Sequence, residues 1–219
     1  MSHALNADAC AAAVELVRVF EPRRVLELGS GRSTVELASV LTEAEARPLL
    51  SLEHERRYLD QTRRVLEERG LAPRVELRHA PIAPAREGWF LGSWYETAVI
   101  ADAGSFDFVL IDGPPSRAVG RFMALPLLWS RLDRGALLLL DDANRADYEA
   151  RWLDLWGRIY REALAIRIFP GFQKGLALLM KRAAVRPSMG PGTLAAYARA
   201  GLSPAAQRGA QRLLGRARD

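Results

Sequence analysis

Acidic side chains stand where apolar runs break off at four places in this chain. Glu27 lies in Val25-Leu26-Glu27-Leu28, just ahead of Gly29-Ser30-Gly31; Glu53 closes Leu49–Glu53; Asp112 follows Phe106–Ile111; and Asp141-Asp142 follow Ala136–Leu140. A carboxylate in such a place can hold ribose hydroxyls, take a proton from a reacting group, or offer oxygen to a hard divalent cation. Ser33-Thr34 then open an apolar-periodic segment (Val35, Leu37, Ala38, Leu41), so a strand passes into a helix through a Gly-x-Gly turn. Such a turn brings backbone close to a ligand and aims helix N–H groups at it. Glu53 falls 22 residues after Gly31, the distance at which an acid reaches the ribose of a nucleotide held by the first turn. The competing reading of Glu53 is a charge at the start of a helix near Arg56.

The elements that must position these groups follow from periodicity. The spacing predicts a helix to about Phe20, capped by Asn6 or Asp8 and ended by Pro22. It predicts strands at Arg24–Leu28, Leu49–Glu53, Val75–His79, Phe106–Ile111 and Ala136–Leu140, with helices between them. One helix covers Ser33 to about Leu41 and another stops at Gly70. A third spans Arg117–Leu132 with a kink at Pro126, and a fourth runs from about Ala146 to Glu162. Leu164–Phe169 and Leu176–Lys181 flank Pro170–Gly175 as a closing hairpin. From Pro81 to Tyr95 the pattern is irregular, and its cluster of Trp89, Phe90, Trp94 and Tyr95 reads as the lining of a substrate cavity, with packing of a loop as the plainer alternative. Strands alternating with helices give an α/β, doubly wound, mostly parallel sheet. Its ligands belong at the carboxyl ends of the strands, where the acids fall.

Composition narrows the class. At 219 residues with 49% hydrophobic and 26% charged content, the chain is read as one soluble globular domain with additions. Cys10 is the lone cysteine, which excludes an internal disulfide. No apolar run approaches the ~20 residues that span a membrane, and the charges within Met1–Phe20 argue against a signal peptide. The expected location is cytoplasmic. The net charge of +5 sits in residues 183–219, where six arginines face Asp219 alone. The body is charge-balanced, so it offers no basic face to a nucleic-acid backbone. A dinucleotide site would carry a third glycine where Thr34 stands, and this places a nicotinamide enzyme last.

Glu27-Leu28-Gly29-Ser30-Gly31, Glu53, Phe106-Asp107-Phe108-Val109-Leu110-Ile111-Asp112 and the terminal hairpin together resemble a class I S-adenosylmethionine-dependent methyltransferase over about residues 7–182. The resemblance implies a seven-stranded sheet of order 3-2-1-4-5-7-6 with a C-terminal antiparallel hairpin. It implies a methyltransferase domain over 1–182 with an N-terminal helix, followed by a basic Pro/Gly-rich then helical tail over 183–219. It also implies S-adenosylmethionine as cofactor, bound by Glu27, Gly29, Ser30, Gly31, Ser33, Glu53, His54 and Asp112. Ser33 would contact the cofactor carboxylate, His54 would flank the ribose, and His79 would flank the adenine pocket.

In site pattern the chain is most similar to the metal-dependent O-methyltransferases of the catechol and caffeoyl-coenzyme A type. That similarity implies Mg²⁺ or another divalent cation on Asp112, Asp141 and Asp142, with Asp112 also catalytic; the plainer reading of the Asp pair is a helix cap. The chain departs from that type in three places. Its glycine loop is two residues shorter, Asp112-Gly113-Pro114-Pro115 replaces an Asp-His-x-Lys segment, and the hairpin lacks the glutamate that grips a second hydroxyl. A catalytic lysine therefore has no counterpart, and the nearby Arg117 and Arg145 are poor bases. The expected acceptor is a hydroxyl on a small molecule. The alternatives are a nucleic-acid or protein methyltransferase recruited by the tail, and a cofactor-binding protein without catalysis. Asp112-Gly113-Pro114-Pro115-Ser116 only faintly resembles the Asp-Pro-Pro-Tyr motif of nucleic-acid amino-methyltransferases. The tail is read as a loosely attached helix or a homodimer contact.

Overall fold

The computed structural model describes residues 5–41, 48–114, 121–185, 187 and 190–199. Its centre is a seven-stranded sheet of order β3-β2-β1-β6-β7-β9-β8. The strands are β1 (Val25–Leu28), β2 (Leu49–Glu53), β3 (Val75–His79), β6 (Phe106–Ile111), β7 (Leu132–Asp141), β8 (Leu164–Phe169) and β9 (Leu176–Lys181). β1, β2, β3, β6 and β7 are parallel, and β9 runs antiparallel to both β7 and β8. A second, two-stranded sheet, β4 (Ile82–Glu87) with β5 (Phe90–Tyr95), lies between β3 and β6 in the chain. Leaving that pair aside, the order is the 3-2-1-4-5-7-6 expected from the resemblance.

The central strands are apolar on both faces because both are covered. Leu26, Leu28, Val109, Ile111, Leu138 and Leu140 face one core; Val25, Phe108, Leu110, Leu137 and Leu139 face the other. Side chains alternate between the two cores along these largely apolar runs, the mark of a parallel sheet buried on two sides, and Phe106, beside the register shift against β7, departs by joining the first core. Each fully buried Leu or Phe contributes roughly 1.5–3 kcal/mol. α1 (Ala7–Phe20) and α2 (Arg32–Val40) bring Ala9, Ala13, Val17 and Leu37 to the second core. The first is closed by the β4–β5 pair, by residues 121–131, and by α5 (Glu149–Tyr160). α3 (Arg56–Glu68) packs Leu66 beside Val35 and Ala38. Asp8 sits inside the first turn of α1 rather than capping it; its Oδ2 accepts from Gln173 N–H at 3.1 Å and ties the helix to the closing hairpin.

Three expectations need correction. The segment 81–95 is a hairpin, not an irregular loop. Gly88, at φ 55°, and Trp89 form its two-residue turn between the paired Glu87 and Phe90. Three of its aromatics pack into the core, Trp94 and Tyr95 wholly buried and Phe90 nearly so, and Trp89 is 79% exposed at the tip. The predicted helix over 117–132 is, among its described residues, three short pieces. They are a 3₁₀ turn at Arg121–Met123, α4 (Ala124–Leu128), and a second 3₁₀ turn at Trp129–Arg131. Pro126 lies in the first turn of α4, where its missing N–H costs no helical bond. β7 begins at Leu132, four residues ahead of the predicted start, with Gly135 at φ 87° beside a register shift against β6.

Of the tail, α6 (Pro191–Arg199) is described, and Tyr197 docks it on the body. Its ring lies 5.8 Å from Phe90 and from Phe122, and its hydroxyl accepts from Leu91 N–H at 3.2 Å. Among the described residues, no helix is long and apolar enough to cross a membrane.

Candidate active site

The site begins where β1 runs into α2. Gly29 has φ 102°, a conformation costly for any residue with a Cβ, and a Cβ there would stand 3.2 Å from Gly113 N. Gly31 N–H donates to Thr34 Oγ1 (2.8 Å), and the Thr34 hydroxyl donates to Glu27 Oε2 (2.5 Å). The same oxygen accepts from Ser51 (2.7 Å), and Ser33, also buried, stands in the first turn of α2. Glu27 therefore lies wholly buried beneath the turn and holds its shape through the Thr34 and Ser51 hydroxyls. Burial pushes its carboxyl up to about 7, against the lowering effect of those hydrogen bonds.

At the end of β2, Glu53 draws the neighbouring turn together. Its Oε2 accepts from Ser30 N–H (3.1 Å) and its Oε1 from Glu55 N–H (2.8 Å). His54 Nδ1 stands 2.8 Å from Oε1, and His79 Nε2 meets the His54 carbonyl oxygen at 3.0 Å. The Ser30 and Ser51 hydroxyls share a hydrogen bond of 2.7 Å. Glu27, Ser30, Gly31, Ser33, Glu53 and His54 thus form one group at the carboxyl edge of β1 and β2.

The remaining acids form a second group at the ends of β6 and β7. One carboxylate oxygen from each of Asp112, Asp141 and Asp142 lies within 4.8 Å of the other two. Asp142 has φ 63°, which turns its side chain back toward β6. Into this group projects Arg121, only 4% exposed. Its Nη1 donates to Asp142 Oδ2 (2.8 Å), Glu149 Oε1 (3.1 Å) and the Asp141 carbonyl (3.4 Å). Its Nη2 donates to the Asp112 carbonyl and faces Asp112 Oδ1 at 3.4 Å, and its Nε donates to the Pro114 carbonyl at 3.3 Å. Arg145 Nη2 (3.0 Å) and Lys174 Nζ (3.8 Å) approach Asp142 from outside. Burial, with Asp141 and Asp142 adding repulsion, pushes Asp112 up to about 7 although Arg121 opposes it. Burial and Asp142 likewise raise Asp141. Both Asp141 carboxylate oxygens are buried with no hydrogen-bond partner among the described residues.

Arg121 and Glu149 escape a reading of the sequence. Arg121 is a single charge at the edge of the apolar run Phe122–Leu125, whereas Glu149 stands among Asp147, Arg151 and Asp154 and looks like one more surface charge. For Arg121 that charge was the one available signal. Arg145 proves to be an ion-pair partner of Asp142 and Glu149, whereas Pro115, Ser116 and Arg117 lie outside the described residues. The close approach of Gly29 to Gly113 brings the two groups side by side at the carboxyl ends of β1 and β6.

A sheet of this order, with a glycine turn after the first strand and acids at the neighbouring strand ends, defines a class I methyltransferase. Residues 26–143 match the model of a methyltransferase-domain family, and the chain belongs to that family as an S-adenosylmethionine-dependent methyltransferase. No curated protein matches the sequence. Among solved structures, the chain resembles a Klebsiella pneumoniae protein with a proposed O-methyltransferase assignment (21% identity, 84% of each chain, TM-score 0.63). It also resembles the Streptomyces achromogenes O-methyltransferase TomG, involved in tomaymycin synthesis and solved with S-adenosylmethionine (18% identity, 82% of each chain, TM-score 0.61). A Bacillus cereus O-methyltransferase in complex with S-adenosylhomocysteine is similar at 17% identity over 83% of this chain and 84% of that one, TM-score 0.60. At these identities the likeness is one of fold.

Proposed function

We infer that the protein transfers the methyl group of S-adenosylmethionine to a hydroxyl oxygen of a small molecule, with Asp112 as the catalytic carboxylate. The observation that carries this reading is the Asp112–Asp141–Asp142 cluster, set beside the cofactor turn by the Gly29–Gly113 contact. Glu53 retains lone pairs for ribose hydroxyls beyond the two backbone N–H groups it accepts. Asp112, raised to about 7, is poised to take the proton of an acceptor hydroxyl near neutral pH. Holding that oxygen beside the sulfonium leaves an in-line displacement that needs orientation more than further chemistry. The O-methyltransferase neighbours support a hydroxyl acceptor.

The acid cluster fits a divalent cation such as Mg²⁺. Its donors are all carboxylate oxygens, their separations suit a single small ion, and Asp141 is a buried carboxylate with no hydrogen-bond partner among the described residues. Asp112, Asp141 and Asp142 would hold the ion. A cation bound there supplies Lewis acidity that lowers the pKa of a hydroxyl.

Calorimetric titration of the full chain with S-adenosylhomocysteine and, separately, with NAD tests the cofactor reading; binding of the first and not the second is expected, and the reverse overturns it. Mn²⁺ titrated into the S-adenosylhomocysteine-loaded protein should bind and should fail to bind Asp141→Asn. Equal binding by both proteins would remove the metal assignment.

A further inference from the structure

Tyr95, the last residue of β5, is wholly buried, and its hydroxyl has no hydrogen-bond partner among the described residues. Leaving such a hydroxyl unmatched costs free energy that folding ordinarily avoids. Trp94 Nε1 and Tyr160 Oη share that condition, but the place of the Tyr95 hydroxyl sets it apart. A Cβ built on Gly113 would run into it, and that same Cβ would stand 3.2 Å from Gly29 Cα and 3.1 Å from the Leu28 carbonyl oxygen. The hydroxyl therefore rests on the point where the cofactor turn and the turn after Asp112 cross. The Tyr95 ring meets His54 edge-on, with centroids 6.4 Å apart, so the phenol stands between the Glu53 side of the site and the Asp112 side.

Most acceptors of the two turns already carry bonds, although Glu27 Oε1 has no partner among the described residues. The Leu28 carbonyl takes N–H bonds from both Asp112 and Gly113. Glu53 takes those of Ser30 and Glu55, Glu27 Oε2 takes the Thr34 and Ser51 hydroxyls, and Asp112 Oδ1 faces Arg121. Burial, with Glu53 adding repulsion, pushes the phenol well above its ordinary pKa, so it keeps its proton. A protonated donor without a partner among the described residues thus stands where the two turns meet.

We propose that Tyr95 is a cofactor-positioning residue: its hydroxyl donates a hydrogen bond to the adenosyl-methionine moiety seated on the Gly29–Gly31 turn. The inference rests on S-adenosylmethionine as the cofactor. It also accounts for Gly113, since a side chain there would displace the hydroxyl from the crossing.

The test is Tyr95→Phe, which deletes the oxygen and keeps the ring. Thermal unfolding without ligand and calorimetric titration with S-adenosylhomocysteine are compared for variant and parent. The expected result is a melting temperature equal to or above the parent's, because an unmatched buried hydroxyl has been removed. Affinity for the nucleoside should fall roughly five- to thirtyfold, the range for one lost hydrogen bond to a polar or charged ligand group. A purely structural hydroxyl would give the opposite pattern, a lowered melting temperature with unchanged affinity, and that result overturns the proposal. Unchanged values of both also overturn it. If the parent fails to bind S-adenosylhomocysteine, the cofactor reading falls with it; if the parent binds and the variant matches it, only the role of Tyr95 is lost.

Discussion

Arg121→Met removes a buried positive charge while keeping much of the side chain's length and apolar bulk. The guanidinium bonds Asp142 Oδ2 and Glu149 Oε1, faces Asp112 Oδ1, and bonds the carbonyls of Pro114, Asp141 and Asp112. Truncating one partner of a buried ion pair costs about 3–5 kcal/mol, because the other charge stays buried and uncompensated. Arg145 and Lys174 remain near Asp142, which places the expected loss toward the lower end. For a chain of this size each kcal/mol shifts the melting temperature by roughly 2–4 °C, so a fall of roughly 6–15 °C is expected. The loss has a pH signature. Asp112 and Asp141 are raised in the folded protein, so between their unfolded and folded pKa values the folded state binds more protons and stability declines as pH rises. Removing Arg121 raises them further, and the deficit should be smaller near pH 6 than near pH 8. Mn²⁺ should restore part of the lost stability at the higher pH, since a bound cation takes over the neutralising role. Differential scanning fluorimetry at both pH values, with Mn²⁺ and with chelator, reads all three effects. A melting temperature indistinguishable from wild type would refute the ion network, and equal loss with Mn²⁺ and with chelator would refute its link to the metal site.

Two further outcomes follow from the turn that carries the cofactor. Glu27, raised to about 7 by burial, holds a proton when folded that it releases when unfolded, so it lowers stability progressively as pH rises from about 4.5 to about 7. Glu27→Gln, whose carbonyl can still accept from Thr34 and Ser51, should flatten that part of a urea-denaturation profile and match or exceed wild type near pH 8 by on the order of 1–3 kcal/mol. A clear loss at that pH would show that the ionised carboxylate is the stabilising form. Gly113→Ala should destabilise by about 1–3 kcal/mol through overpacking, and part of that cost should disappear when Tyr95→Phe is added, because the alanine Cβ meets the Tyr95 oxygen first. A double-mutant cycle with additive costs would place the clash elsewhere.

What was legible in the sequence, and what was not, divides along one physical line. β2, β6 and β9 are visible end to end because a strand covered on both faces is largely apolar, whereas the edge strands β3 and β8, which carry Glu76, Arg78 and Arg167, are read as short runs bounded by turn residues. Glu27, Glu53, Asp112 and Asp141 are visible for the related reason that a charge closing such a run stands out. The β4–β5 hairpin lacks that local signal. Pro84 lies within one strand and Gly92 within the other, and the pair is held by contacts of Phe90 with Phe122 and Tyr197, remote in sequence. Arg121 is hidden for the same reason, since its six oxygen partners come from segments reaching as far as Glu149. A strand end shows where negative charge gathers, but the counter-charge comes from wherever the chain folds back. The acids alone suggest a site waiting for a cation; with Arg121 among them, it is a partly neutralised site whose remaining demand is concentrated on Asp141. Affinity for a divalent ion should therefore depend on Arg121 as much as on the carboxylates that touch it.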